Sequence, residues 1–278
     1  WWREVLYVVV FYVAYSWIRN QFGSNGTDAA RIAFEHAQDV IRLQDAMGLW
    51  FEPELQRWYL DLPAMGLIRV WNIFYGTAHF AVTIGILLFA FVKAPRVYQF
   101  ARTALAGTTL LALVGFAAYT LMPPRLLDDA SEYGACAGLE PGCHGYGIVD
   151  TLDVWGGIWK FGDGGAAIVS NQYAAMPSLH FGWSMWCAVT ALLVLRALNR
   201  STDVAKRHWW VFLYPAATLF CILVTGNHYW LDAFFGAVAL GGGWLIALGI
   251  DRWILSRAQP SGSPPYDSGP DLAEAAHT

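Results

Sequence analysis

Apolar residues fall in six long runs separated by polar connections, and these runs set the first expectation for the fold. They occupy 5–18 (extended by the aromatic Trp1 and Trp2), 73–92, 103–122, 179–198, 209–225 and 229–250. A helix rising about 1.5 Å per residue needs about 20 residues to cross a hydrocarbon core, and each run reaches or approaches that length. The pattern predicts an all-α fold, an integral membrane bundle of six transmembrane helices. Only Gly226, Asn227 and His228 separate the last two runs, which predicts a tight helical hairpin. No small-residue cleavage site follows the first run, so it reads as a span rather than a signal peptide. The chain opens at Trp1 without a Met, and a native N-terminal segment is expected to precede it.

Two connections are much longer than the rest, about 19–72 and 123–177. Within the first, Ile32, Ala33, Val40, Ile41, Leu43 and Met47 recur at helical spacing between Arg31, Glu35, Asp39, Arg42 and Asp45. That is the signature of an amphipathic helix, either lying on the bilayer or packed against the bundle. A second such helix is expected over 52–60. Residues 1–258 form one membrane domain, and the Pro-, Ser- and Gly-rich stretch 259–278 reads as a disordered cytoplasmic tail.

Composition agrees with this picture. Apolar residues make up 56% of the chain and charged ones 14%, which argues against a water-soluble globular protein. A net charge of −4 without a basic stripe gives no footprint for nucleic acid. Lys93, Arg96 and Arg102, then Arg196, Arg200, Lys206 and Arg207, and finally Arg252 and Arg257 sit in short connections or at the C-terminal exit. The positive-inside rule puts these and both termini in the cytoplasm, and the two long connections outside. If the cell is bacterial, the membrane expected is the plasma (inner) membrane.

Span counting then brings three polar groups far apart in the chain to one outer rim: Arg125, His180 and His228. A His four residues before an Asp is common on helices, and His228 and Asp232 would then share one helical face. Near a membrane span, however, ionisable side chains are costly and are usually functional or tightly partnered. The carboxylate can orient one imidazole nitrogen and leave the other free to attack or to move a proton. Arg125, behind two prolines, is a charged planar fork suited to phosphate oxygens. Backbone N–H groups around Ser178 and Leu179, opening the fourth span with Pro177 in its first turn, would make an anion site. A phosphate held there could be attacked by His228, oriented by Asp232, while His180 protonates the departing oxygen. This chemistry calls for no cofactor and no metal, because Arg and helix dipoles supply the positive charge.

Pro177-Ser-Leu-His180 resembles the second signature of the type 2 phosphatidic acid phosphatase superfamily, and His228-Tyr-Trp-Leu-Asp232 resembles its third. The wider strings over 171–180 and 225–232 look most like the branch containing inositol phosphorylceramide synthase. Two departures stand out. The first signature, with its Lys and Arg-Pro pair, is replaced by Met122-Pro-Pro-Arg125, which is similar to the inositol-transfer branch. Ile222 stands where an Arg is usual, which leaves the second phosphate-binding cation open; Lys160 is a weak candidate that a merely solvated role would explain as well.

The resemblance implies transfer of a phosphoryl or phospho-headgroup from a lipid phosphate or phospholipid through a phosphohistidine on His228. Water as acceptor makes a phosphatase, the reading favoured here; an inositol or other sugar hydroxyl makes a headgroup transferase. A lipid transporter or flippase without covalent chemistry is the reading from another class. Against it, the charged groups cluster at one rim rather than near the midplane, and no inverted repeat is visible. The Gly241-Gly242-Gly243 run reads instead as a close helix contact.

Cys136 and Cys143 flank a turn-rich spacer, a disulfide candidate if the loop is outside, or else a pair of free thiols; two such ligands alone do not make a zinc site. His144 reads as a surface residue. Cys187 and Cys221 lie within spans and read as small apolar core residues.

Overall fold

The computed structural model describes residues 28–63, 65–137, 145–157, 171–199 and 203–258, with scattered positions between 2 and 16. Nine α-helices are defined within these residues: α1 (Ala29–Ala46), α2 (Glu52–Leu60), α3 (Ile68–Lys93), α4 (Pro95–Ala118), α5 (Thr151–Trp155), α6 (Leu179–Asn199), α7 (Val204–Arg207), α8 (Leu213–Val224) and α9 (Trp230–Ala258). Three short 3-10 turns join them, at Met65–Leu67, Pro124–Leu126 and Trp209–Phe212. The described residues are all-α apart from an isolated bridge between Leu121 and Ala174.

Four helices, α3, α4, α6 and α9, are long and apolar enough to cross a membrane. Six are not all present at that length. The expected span over 209–225 is a 3-10 turn running into α8, Trp209–Val224, short of the roughly 20 residues a straight crossing needs. Most of 5–18 lies outside the described residues. The span expected from 103 starts earlier, at Pro95, because Ala94 with ψ of 71° breaks the helix and a proline fits the first turn that follows.

The long helices pack around α4 and α9, the most extensively paired elements. Trp186 is fully buried, and its Nε1 donates to Ala101 O at 2.8 Å, tying α6 to α4. The glycine run behaves as expected. A Cβ on Gly243 would lie 2.4 Å from Thr108 N and 2.5 Å from Ala104 O, so the α9 backbone touches α4 directly. Outward positions of α3, among them Val70, Ile84, Leu88 and Val92, are exposed apolar surface of the kind that faces lipid.

The first long connection is indeed helical, and it packs against the bundle. Ala33, Phe34, Ala37 and Val40 of α1 are buried in one cluster with Leu121, Met122, Leu126, Tyr173 and Tyr229. His36 Nδ1 donates to Thr120 O at 2.6 Å, and its ring stacks on Tyr119 with centroids 4.1 Å apart. Ile32, Leu43 and Met47, expected on the buried face, are exposed instead. The reason is that the small residues Ala33 and Ala37 let the α1 backbone approach closely, so they select the packed side over the larger neighbours. The tail 259–278 lies outside the described residues.

Candidate active site

The site begins where α8 turns into α9. Gly226 makes the turn with φ of +68°, where a Cβ would meet Ile148 at 3.1 Å. The N–H groups of Asn227 and His228 both donate to Ile222 O, at 3.0 and 3.1 Å, folding the link over the end of α8. His228 therefore stands just before α9, not on it. Asp232 is the third residue of that helix, and its Oδ2 accepts from Tyr229 N at 3.0 Å, the reach-back of a capping-box acid. The same oxygen accepts from His228 Nδ1 at 3.2 Å. The expected four-residue pairing thus exists, but a helix cap makes it rather than a shared helical face. Both side chains are buried, at 4% and 0% exposure, and Asp232 Oδ1 accepts nothing among the described residues.

His180 is delivered by the start of α6. Ser178 caps that helix, its Oγ accepting from Phe181 N at 3.4 Å, while its own N–H donates to Asp232 O at 2.9 Å. Gly236 permits this docking, because a Cβ there would fall 2.4 Å from Ser178 O. The first turns of α6 and α9 are thereby locked together, and His180 Nδ1 lies 3.4 Å from His228 Nε2. Two expectations change here. Pro177 precedes the cap instead of occupying the first turn. The Ser178 N–H is committed to α9, so an anion at this terminus would draw on Leu179 and the N–H groups after it.

The hydrogen-bond network assigns the tautomers. A carboxylate only accepts, so His228 Nδ1 carries the proton and Nε2 presents a lone pair when the ring is neutral. The contact from His180 Nδ1 then requires that His180 donate. The arrangement is a linear relay, Asp232 to His228 to His180, with the His228 ring in the middle.

Reading the sequence missed two neighbours on α3. Tyr75 stacks on His180 with ring centroids 4.2 Å apart and planes 20° from parallel, and His79 meets the same ring edge-on at 4.3 Å. His79 Nδ1 donates to Tyr75 O at 3.0 Å. An ionisable residue inside an apolar run was a readable signal for His79; Tyr75 carried none. A small cleft beside His180 is lined by these two and by Phe74, Tyr214, Thr218 and Ile222.

Arg125 adjoins the turn through its backbone, donating from N to Gly226 O at 2.7 Å. Its guanidinium is held by Asp150 Oδ2 at 2.5 Å and Gln172 Oε1 at 2.6 Å, and it does not line the cleft beside His180. Asp150 also caps α5, its Oδ1 accepting from Leu152 N and Asp153 N at 2.8 and 3.1 Å. Two of the five N–H donors of the fork are used this way, and three remain for an anion among the described residues. Lys160, Cys143 and His144 lie outside the described residues. Cys136 is disulfide-bonded, and Cys187 and Cys221 are buried free thiols, as their place in apolar runs suggested.

A family model described as the PAP2 superfamily matches residues 38–246. The chain belongs to the PAP2 superfamily. No curated protein and no solved structure matches it. Membership makes the protein a membrane phosphatase or phosphotransferase acting on phosphate esters. The matched PAP2 region begins inside α1 and ends inside α9, so it takes in all the helices that meet at the histidine pair.

Proposed function

We propose that the protein is a lipid phosphate phosphatase that works at the extracytoplasmic end of the bundle through a phosphohistidine on His228. The observation that carries the reading is the Asp232–His228–His180 relay, with 3.2 Å between the first pair and 3.4 Å between the second. In the first half-reaction, His228 Nε2 attacks phosphorus, an N–P bond forms, and the bond to the leaving oxygen breaks. That oxygen takes the proton from His180, while Asp232 offsets the positive charge on the His228 ring. In the second, His180 takes a proton from water, the water oxygen attacks phosphorus, and the N–P bond breaks to release inorganic phosphate. Arg125 and the first-turn N–H groups of α6 bind the non-bridging oxygens.

The lipid nature of the substrate is supported by the setting of the histidine pair, at one end of four helices long and apolar enough to cross a membrane. The extracytoplasmic placement rests on charge. Lys93, Arg96, Arg196, Lys206, Arg207 and Arg257 fall at the bundle end opposite the histidines, and the positive-inside rule makes that end cytoplasmic. With 5–18 and Trp209–Val224 counted as the further crossings, the bundle has six spans and both ends are cytoplasmic.

The test is to incubate purified protein with a panel of lipid phosphates, with and without inositol, beside a His228→Ala control. Inorganic phosphate released by the wild type and not by the control is the expected result. Inositol phosphate in place of inorganic phosphate would reassign the protein to phosphoryl transfer onto a hydroxyl acceptor, the reading that Met122-Pro-Pro-Arg125 favours.

A further inference from the structure

The start of α9 is held from outside as well as from within. The first helical N–H groups of any helix lack intrahelical partners. Asp232 takes that of Tyr229, as described above. The next one, Trp230 N, donates to Glu52 Oε1 at 3.0 Å, a carboxylate from α2 placed 178 residues earlier in the chain. The same oxygen accepts from Gln44 Nε2 of α1 at 2.7 Å, and Oε2 accepts from Phe51 N at 3.1 Å. The Trp230 indole adds a bond from Nε1 to Leu49 O at 2.9 Å. Tyr229 Oη donates to Met122 O at 3.2 Å, close to the segment that carries Arg125.

Burying a carboxylate is costly, and packing alone at this place would be served by an apolar side chain. Glu52 is nevertheless 1% exposed, with Gln44, Tyr229 and Asp232 around it at 0%. What the carboxylate does that a leucine could not is accept from a helix-start N–H two residues after His228. The negative charge also lies at the positive end of the α9 dipole. His228 is anchored by its own N–H on Ile222 O and by Nδ1 on Asp232, and the Trp230 N–H bond to Glu52 adds a third anchor two residues further on.

We propose that Glu52 is a positioning residue for the nucleophile, setting His228 through the Trp230 N–H and thereby coupling the extramembrane α1–α2 unit to the reaction centre. This rests on the reading of His228 as the nucleophile. It does not make Glu52 a group that touches the substrate.

The experiment uses the full chain in detergent or lipid nanodiscs. Glu52→Gln, Glu52→Ala and Glu52→Asp are compared for folded fraction, for kcat and KM on a lipid phosphate, and for the single-turnover rate of phospho-enzyme formation. Gln keeps an oxygen for Trp230 N and should hold kcat within about 3-fold of wild type, whereas Ala should lose roughly 10- to 100-fold in kcat per folded molecule with KM within about 2-fold. Should the Ala variant not fold, Asp keeps the charge but withdraws the oxygen by about 1.5 Å, one carbon–carbon bond, and should lose about 10-fold. Wild-type kcat in the folded Ala variant, or in the Asp variant, overturns the proposal, as does an equal loss in Gln and Ala. Full activity in His228→Ala overturns the nucleophile assignment instead, whichever way the Glu52 series falls.

Discussion

His228 Nε2 and His180 Nδ1 stand 3.4 Å apart, so the two rings close on each other across the point that a phosphorus atom would have to occupy. In-line displacement needs the attacking nitrogen about 3–3.5 Å from phosphorus and the proton donor within about 3 Å of the leaving oxygen beyond it, more than about 6 Å in all once the P–O bond between them is counted. A bound phosphoryl group must therefore part the pair. Orthovanadate, an anion of phosphate shape, should widen the nitrogen–nitrogen separation to more than about 6 Å, with the movement on the His180 side, because Asp232 and the cap at Tyr229 restrain His228. A structure with vanadate at full occupancy and the separation unchanged would reject this geometry.

The two histidines should also separate by chemistry. His228→Ala should lower turnover by at least about 10³-fold and remove the phospho-enzyme, whatever the leaving group. His180→Ala should lose about 10²- to 10⁴-fold on an alkyl ester and recover much of that on an aryl phosphate, whose leaving oxygen needs little protonation. Asp232→Asn should fall between, since the ring keeps its place but loses the carboxylate. Equal recovery of both histidine variants on the aryl substrate would reject the division of labour.

Arg125 is expected to bind phosphate as a fork. Arg125→Lys keeps the charge but loses the paired geometry, so kcat/KM should fall by about 10- to 100-fold, the worth of a charge-assisted bond of about 1.5–3 kcal/mol. Asp150→Asn retains an oxygen to cap α5 but leaves the nearly buried Arg125 guanidinium without its carboxylate, and should cost about 3–5 kcal/mol of stability. Arg125→Lys with unchanged kinetics would remove Arg125 from the site.

Stability should carry the mark of Glu52 on the acid side. Burial is the main cause that pushes its carboxyl above the ordinary value of 4.5, only partly opposed by the bonds from Trp230 and Gln44. The folded protein then holds a proton that the unfolded chain has released, so stability is fullest below the ordinary value and declines as pH rises through the folded one. Thermal unfolding in detergent from about pH 4 upward should show this decline in the wild type and a flatter curve in Glu52→Gln. Parallel curves would mean that Glu52 titrates alike in both states.

Topology can be read by labelling. Single cysteines at the exposed positions Asp153 and Lys206 lie at opposite ends of the bundle, and the first should react with an impermeant reagent from outside while the second reacts only after lysis. The reverse result would put the site in the cytoplasm.

Much of this was legible in one dimension. Apolar runs of membrane length announced α3, α4, α6 and α9, because lipid forces the backbone to satisfy itself within each span. The parity of those runs carried His180 and His228 to one end, and the four-residue spacing to Asp232 marked a pairing that the structure retains in another form, as a helix cap.

Span counting sets depth, however, and not rotation or neighbourhood. That His180 faces His228 depends on Ser178 N reaching Asp232 O over the missing side chain of Gly236, a contact between segments more than fifty residues apart. Tyr75 and His79 joined the site only through the rotation of α3. Arg125 met Asp150 and Gln172 only through loop closure, and Glu52 met Trp230 across 178 residues. The sequence by itself determined four helices long and apolar enough to cross a membrane and brought His180 and His228 to one end of them, because hydrophobic length acts locally along the chain. Only the tertiary structure decided which groups touch, because close packing of small residues and the satisfaction of helix-end N–H groups couple positions that no local pattern connects.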